Sequence, residues 1–283
     1  MTRANTTSQF QNEIDVCIRA YIRSLRARQA PLKNSRGLGS SDDICVPFVC
    51  ETRSHRSLHF SVLEMQSQML KRDPTALVLD YTRTMMGFLM FNSQPERIAM
   101  IGLGGGSLAK FCYKELPRSR IEVVEINPHV VALRDDFHVP PNNERFCIHI
   151  ADGAQFISRS PDQFDVLLVD AYSRQGLPPR LAAQRFYDNC RTALREGGIM
   201  VMNLYCEDAD EYIGRIRRAF AGDTFVVDEE DGTNRVVFAR RSVVGLRHWA
   251  VHAKFSASIH HAATELLKPE FSRIVSAMQR QNS

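Results

Sequence analysis

The sequence has no apolar run of the roughly 18–20 residues needed to cross a bilayer; Met85 to Phe91 and Asp165 to Ala171 come nearest, and both are short. No membrane association is therefore expected. The N-terminus lacks an apolar core followed by a small-residue cleavage site, so no secretion signal is read there and a cytoplasmic location is expected. There is no CxxC pair: the seven cysteines stand singly at 17, 45, 50, 112, 147, 190 and 206, which argues against both a disulfide framework and a zinc site. They read as reduced, mostly buried thiols. A strong charge of one sign is missing too, the net being +4. What excess there is sits in residues 1–40, where Arg3, Arg19, Arg23, Arg26, Arg28, Lys33 and Arg36 face only Glu13 and Asp15. With no nucleic-acid-binding motif and no aromatic platform beside this arm, nucleic acid is not an expected partner. What remains, 44% hydrophobic and 24% charged residues in a chain of 283, is globular composition sufficient for one large core or two modest ones.

The apolar pattern divides the chain. Phe10, Ile14, Ile18, Tyr21, Ile22 and Leu25 recur at helical spacing within 8–30, and the Ser- and Gly-rich 34–43 follows as a linker. Short β-type runs at 48–52, 57–62, 68–71 and 76–79, broken by polar turns and Pro74, predict a small antiparallel domain, and 81–91 a helix. Beyond it, strand patterns at 97–101, 121–125, 146–150, 164–170 and 199–204 alternate with helical ones, which predicts a parallel sheet covered on both faces. The runs 224–227 and 235–239 flank Asp231-Gly232, a hairpin turn signal, so the sheet is expected to end antiparallel. The tail, 246–280, reads as helix with a break at Pro269. The expected organisation is thus 1–43 helix and linker, 44–93 small β-rich domain with connecting helix, 94–245 a Rossmann-like, class I methyltransferase-type α/β domain with seven strands, and 246–283 helical tail. An apolar stripe on a terminal helix suits a homodimer as well as docking within the chain.

The segment IAMIGLGGGSL, from Ile98 to Leu108, is a strand running through Gly102, Gly104, Gly105 and Gly106 into a helix. Such a loop lets backbone N–H groups approach a nucleotide, although a tight turn alone would use the same glycines. Glu125 ends the next strand nineteen residues after Gly106, where a carboxylate can accept hydrogen bonds from both ribose hydroxyls. Ser107 occupies the sixth position of GxGxxG, which disfavours a nicotinamide dinucleotide. Asp152, before Gly153-Ala154-Gln155, suits either an adenine amino group or a helix N-cap. Asp170 closes the run VLLVD before a loop with Gly176, Pro178 and Pro179, as a cap for loop amides or as a base. The histidines at 248, 252, 260 and 261 lack a third anchored ligand and an HExxH pattern, so no metal is expected.

Taken in order, the glycine loop, VEI with Glu125 and Ile126, ADG with Asp152 and Gly153, FDVLLVD with Asp170, Phe186-Tyr187 and the Gly197-Gly198 turn resemble the spermidine synthase family of aminopropyltransferases. The region with Gln66 and the 81–91 helix resembles that family's N-terminal domain more loosely. The resemblance implies polyamine chemistry: a decarboxylated S-adenosylmethionine donor, an amine acceptor and no metal. It implies Glu125 on the ribose, Asp152 on the adenine, Gln66 near the nucleoside and Asp170 as catalytic acid residue. Tyr172 offers a hydroxyl to the amine or is a packed loop tyrosine.

Departures from the family matter as well. Gly105 and Ser173 stand where spermidine synthases carry Asp, and Tyr81-Thr82-Arg83-Thr84-Met85 replaces a stretch with an acidic pair. A diamine needs carboxylates in place of water. Arg83 could instead pair with a carboxylate, either on intact S-adenosylmethionine or on an acidic acceptor, or it could be a helix-end arginine. Two alternatives to aminopropyl transfer therefore stay open: methyl transfer from S-adenosylmethionine, and a non-catalytic nucleoside-binding scaffold.

Overall fold

The computed structural model describes residues 16–24, 44–62, 64–230, 232, 234–242, 249 and 261–281. The sequence readings for 8–15, 25–43, His248, His252 and His260 lie outside these residues. Residues 16–24 form a helix (α1). A three-stranded antiparallel sheet follows, in the order β1 (Phe48–Glu51), β2 (His55–His59), β3 (Met65–Leu70).

The β-type run at 76–79 is not a strand. Asp73 sets a turn, its carboxylate accepting from the Thr75 N–H and hydroxyl and its carbonyl from the Ala76 N–H. The carbonyls of Leu77 and Val78 are taken by the Arg83 guanidinium and not by a neighbouring strand. The chain then enters α2 (Asp80–Met85), which tightens into a 3-10 turn over Met86–Met90.

The main sheet has seven strands in the order β6-β5-β4-β7-β8-β10-β9. These are β4 (Arg97–Ile101), β5 (Arg120–Glu125), β6 (Phe146–Ile150), β7 (Phe164–Val169), β8 (Leu194–Leu204), β9 (Thr224–Asp228) and β10 (Arg235–Arg240). The strands β4 to β8 are parallel, while β10 runs antiparallel to both β8 and β9. The seven-stranded class I methyltransferase-type sheet read from the sequence is the one formed. β8 starts at Leu194, ahead of the expected Ile199, with a pairing irregularity against β7 that takes in the glycine turn.

Connections are α3 (Ser107–Glu115), α4 (Pro128–Ala132), α5 (Gly153–Ser158), α6 (Pro179–Ala182), α7 (Gln184–Ala193) and α8 (Ala209–Ala219), and the chain closes with α9 (His261–Gln281). Pro269 lies inside α9 and does not break it. Central strands are apolar on both faces because each face is covered: Ile98, Met100, Val166 and Leu168 pack with the 3-10 turn, α3 and α9, whereas Ala99, Ile101, Leu167 and Val169 pack with α5, α7 and α8.

Candidate active site

β5 and β6 lie on one side of β4 and β7 and β8 on the other, so the chain order reverses between β4 and β7, the place where open α/β sheets hold ligands. The carboxyl ends of β4 and β7 touch there. The Asp170 N–H donates to Ile101 O at 2.9 Å, and a Cβ on Gly102 would sit 2.1 Å from Asp170 O. Only glycine permits that approach, and its φ of 96° is in the left-handed region.

The loop amides then turn towards Glu125. Leu103 N–H donates to its Oε2 at 2.9 Å and Asn127 N–H to its Oε1 at 2.8 Å. Burial pushes this carboxyl above the ordinary glutamate range, and the amides of Asn127, Leu103, Ile126 and Gly104 pull it back. The bonds from Leu103 and Asn127, one to each oxygen, are the two short ones and leave each oxygen a lone pair for a further donor. Beside it, Ile126 and Ile150 leave nearly half of their surface exposed at the strand ends, an apolar lip for a flat base. Asp152 is the N-cap of α5, accepting from Gln155 N–H at 3.0 Å through Oδ1, and its Oδ2 meets the exposed Arg180 at 2.9 Å. Gly153, the first residue of α5, packs against Ile101. From the other side, β3 brings Gln66 and Ser67 over Gly104 and Gly105.

Asp170 is held by residues that sequence reasoning did not select. Tyr81 of α2 donates its hydroxyl to Oδ2 at 3.1 Å, and Asn203 of β8 donates Nδ2 to Oδ1 at 3.0 Å, itself oriented by Asn234 at 2.8 Å. Burial raises the Asp170 carboxyl above the usual aspartate range, opposed by the bonds from Asn203 and Tyr81. The one sequence signal for Asn203 was an amide inside the otherwise apolar run IMVMNL.

Three candidates fall elsewhere. Arg83 does not face the nucleotide loop: its Nε donates to Glu270 Oε1 of α9 at 2.8 Å, its Nη1 to the carbonyls of Leu77 and Val78, and its Nη2 to Asp80. Arg83 thus stands in the last turn of α2 with its donors on protein acceptors, as in the helix-end reading. Tyr172 donates to Asn203 O at 3.0 Å and accepts from Tyr205 N–H at 2.6 Å, so its hydroxyl pins the β7 loop to β8 and makes no bond to Asp170. Ser173 closes a turn, with its backbone paired to Gly176 and its hydroxyl on Gly176 O at 3.1 Å.

Residues 79–222, just over half of the chain, match the spermine/spermidine synthase domain. The chain belongs to that family. The polyamine aminopropyltransferase of Chromobacterium violaceum is 35% identical over 204 residues, covering 71% of this chain and 78% of the relative. An eEF1A lysine and N-terminal methyltransferase of Xenopus laevis is 30% identical over 162 residues, which make up 51% of this chain and 23% of that protein. A probable spermidine synthase of Corynebacterium glutamicum shares the fold, with TM-score 0.57 at 18% identity over 75% of this chain and 81% of the other. The resemblance read from the motif order is thereby borne out, and membership makes the protein a transferase. No described helix is long and apolar enough to cross a membrane.

Proposed function

We propose that this family member transfers an aminopropyl group from decarboxylated S-adenosylmethionine to an amine, with Asp170 as the base. The observation that carries the reading is the carboxylate at the strand-order reversal, gripped by Tyr81 and Asn203 and adjoining the Gly102 loop. In the reaction the acceptor nitrogen attacks the propyl carbon next to sulfur from the side opposite the C–S bond. A C–N bond forms, the C–S bond breaks with its electron pair going to sulfur, and 5′-methylthioadenosine leaves. The amine must arrive unprotonated, and an alkylamine with pKa near 10 is almost wholly protonated at neutral pH. Asp170 takes that proton. Its raised pKa narrows the gap to the ammonium, and the two neutral hydrogen bonds fix its direction without supplying a counter-charge.

The donor fits the opposite half. Glu125, already aligned by the loop amides, receives the ribose hydroxyls; Ile126 and Ile150 flank the base, and Asp152 accepts its amino group once Arg180 swings aside. The acceptor side differs from a diamine site. A Cβ on Gly105 would lie 2.7 Å from Ser67 Oγ and 2.9 Å from Phe137, so the position has no room for a carboxylate. We read the acceptor as an amine with no second ammonium held at that point.

Methyl transfer is the second reading, favoured by the 30% identity to a methyltransferase over half of the chain. Turnover with each donor and a set of mono- and diamines separates the two. 5′-Methylthioadenosine from the decarboxylated donor, lost in Asp170→Asn with nucleoside binding retained, supports the proposal. S-adenosylhomocysteine from the intact donor overturns it.

A further inference from the structure

The N-terminal sheet carries a cluster that the transfer reaction does not use. Cys17 lies on α1, Cys50 on β1 and His59 at the end of β2, and their donor atoms all fall within 4.8 Å of one another. Cys50 is 2% exposed and His59 5%, while Cys17 is half-buried at the edge. None of the three belongs to residues 79–222, the part that matches the family.

The spacing is close to that of donors to one ion. Zinc binds thiolate sulfur at about 2.3 Å and imidazole nitrogen at about 2.0–2.1 Å, which places the two donors roughly 3.6 Å apart in a tetrahedron and 3.8 Å in a trigonal plane. Cys17 Sγ stands 3.9 Å from His59 Nε2. As a hydrogen bond that contact is at its outer limit, and the same nitrogen already meets Ser57 Oγ at 2.8 Å. The ring stacks on Phe48, which fixes its plane. Burial keeps the imidazole neutral, the form that ligates, and burial together with the neighbouring thiol keeps Cys50 protonated in the absence of a cation.

We propose that Cys17, Cys50 and His59 form a zinc site that fastens α1 to the N-terminal sheet. Binding breaks two S–H bonds and the hydrogen bond between Ser57 Oγ and His59 Nε2, releases two protons to solvent, and forms two Zn–S bonds and one Zn–N bond with no change of oxidation state. The fourth position falls to a small oxygen donor, and Ser57 Oγ is the one at hand. A disulfide between Cys17 and Cys50 is the competing chemistry for the same pair, and it leaves His59 with only its bond to Ser57 and its stacking on Phe48.

The test uses the full chain purified with reductant and without chelator. Metal analysis is expected to give close to one zinc per chain. After its removal, Co²⁺ titration is expected to give thiolate charge-transfer bands and intense visible bands of a four-coordinate ion, which Zn²⁺ then abolishes. Cys17→Ser and His59→Gln should each weaken Co²⁺ binding at least tenfold, with the far-ultraviolet circular dichroism of the main sheet and the binding of 5′-methylthioadenosine unchanged. The wild-type spectrum decides the matter even where a variant folds poorly. A pale six-coordinate cobalt spectrum in the wild type, equal affinity in the variants, or a metal-free protein with a Cys17–Cys50 disulfide found by mass spectrometry would each overturn the site.

Discussion

Restoring the family's acid at Gly105 should harm this protein without giving it a diamine site. Gly105 is not at positive φ among the glycines of its loop, so the obstacle is space and not backbone conformation. A Cβ there meets Ser67 Oγ at 2.7 Å, Phe137 Cδ1 at 2.9 Å and Ser67 Cβ at 3.1 Å. Phe137 cannot give way easily, since its ring is 1% exposed in the core and its carbonyl accepts from the buried Lys110 ammonium at 2.8 Å. Overpacking of this kind costs about 1–3 kcal/mol. At about 2–4 °C per kcal/mol for a chain of somewhat smaller size, Gly105→Ala should lower Tm by several degrees, and Gly105→Asp by more because a carboxylate is buried as well. Ser67 supplies two of the three close atoms, so Ser67→Gly in the same chain should recover a large part of the loss. Thermal unfolding of the four proteins, with turnover of 1,4-diaminobutane measured in parallel, tests the reasoning. Gly105→Asp at wild-type Tm, or with increased diamine turnover, would refute it.

Asp170→Asn should abolish all but about 10⁻²–10⁻⁴ of the turnover, read as single-turnover rates with nucleoside affinity measured alongside. The same variant tests the electrostatics by thermal unfolding: the folded-state pKa of Asp170 is raised, so its neutral form is favoured in the fold, and that stability is present below the unfolded value near 4 and lost as pH rises through the folded pKa. Asn imitates the neutral form, so the Tm advantage of Asp170→Asn should grow with pH across that window and then level off; a pH-independent difference would count against the shift. Tyr81→Phe should reduce kcat and move the acid limb of its pH profile, whereas Tyr172→Phe should lower stability by about 1 kcal/mol and leave that limb in place. Arg83→Ala removes the partner of Glu270, whose side chain is 7% exposed, and with one-fifth of the arginine side chain open to solvent the cost should be about 1–3 kcal/mol. Its KM for the donor should not change, and a double-mutant cycle with Glu270→Ala should return a coupling of similar size.

The strands of the main sheet were legible because they are covered on both faces, which forces continuous apolar runs such as FDVLLV, and because Asp-Gly marks the final hairpin. The run at 76–79 misled for the same reason: its apolar content belongs to a segment entering a helix, and a side chain, Arg83, takes the carbonyls that a strand partner would have taken. Residues at strand ends were singled out because strand, loop and acid are local in sequence. Tyr81 and Asn203 were not, since their partner Asp170 lies 89 and 33 positions away. The same blindness left the alternatives for Arg83 open, its partner Glu270 standing 187 residues downstream. Tyr172 is near Asp170 in sequence, yet its hydroxyl reaches the next strand, a direction that spacing does not carry.

These long-range bonds also tie Asp170, the proposed base, to parts of the molecule remote from the loops proposed to hold the donor. Tyr81 and Arg83 stand two residues apart on a helix of six, Asp80–Met85, one bonded to Asp170 and the other to Glu270 of α9. Residues so spaced on a helix face different directions, so α2 spans the distance between the base and α9. The turn that follows is fixed equally closely, because Gly87 leaves no room for a Cβ against Ile274 of α9, at 2.3 Å. Asn203, on the opposite side of the carboxylate, is oriented by Asn234 beside the final hairpin. The proposed donor half, by contrast, is built from the loops after β4, β5 and β6, and its carboxylates Glu125 and Asp152 bond to loop and helix amides and to Arg180 instead of to α2, Asn203 or α9. Changes in α9 should therefore register in the protonation of the base and in kcat, with donor affinity left as it is.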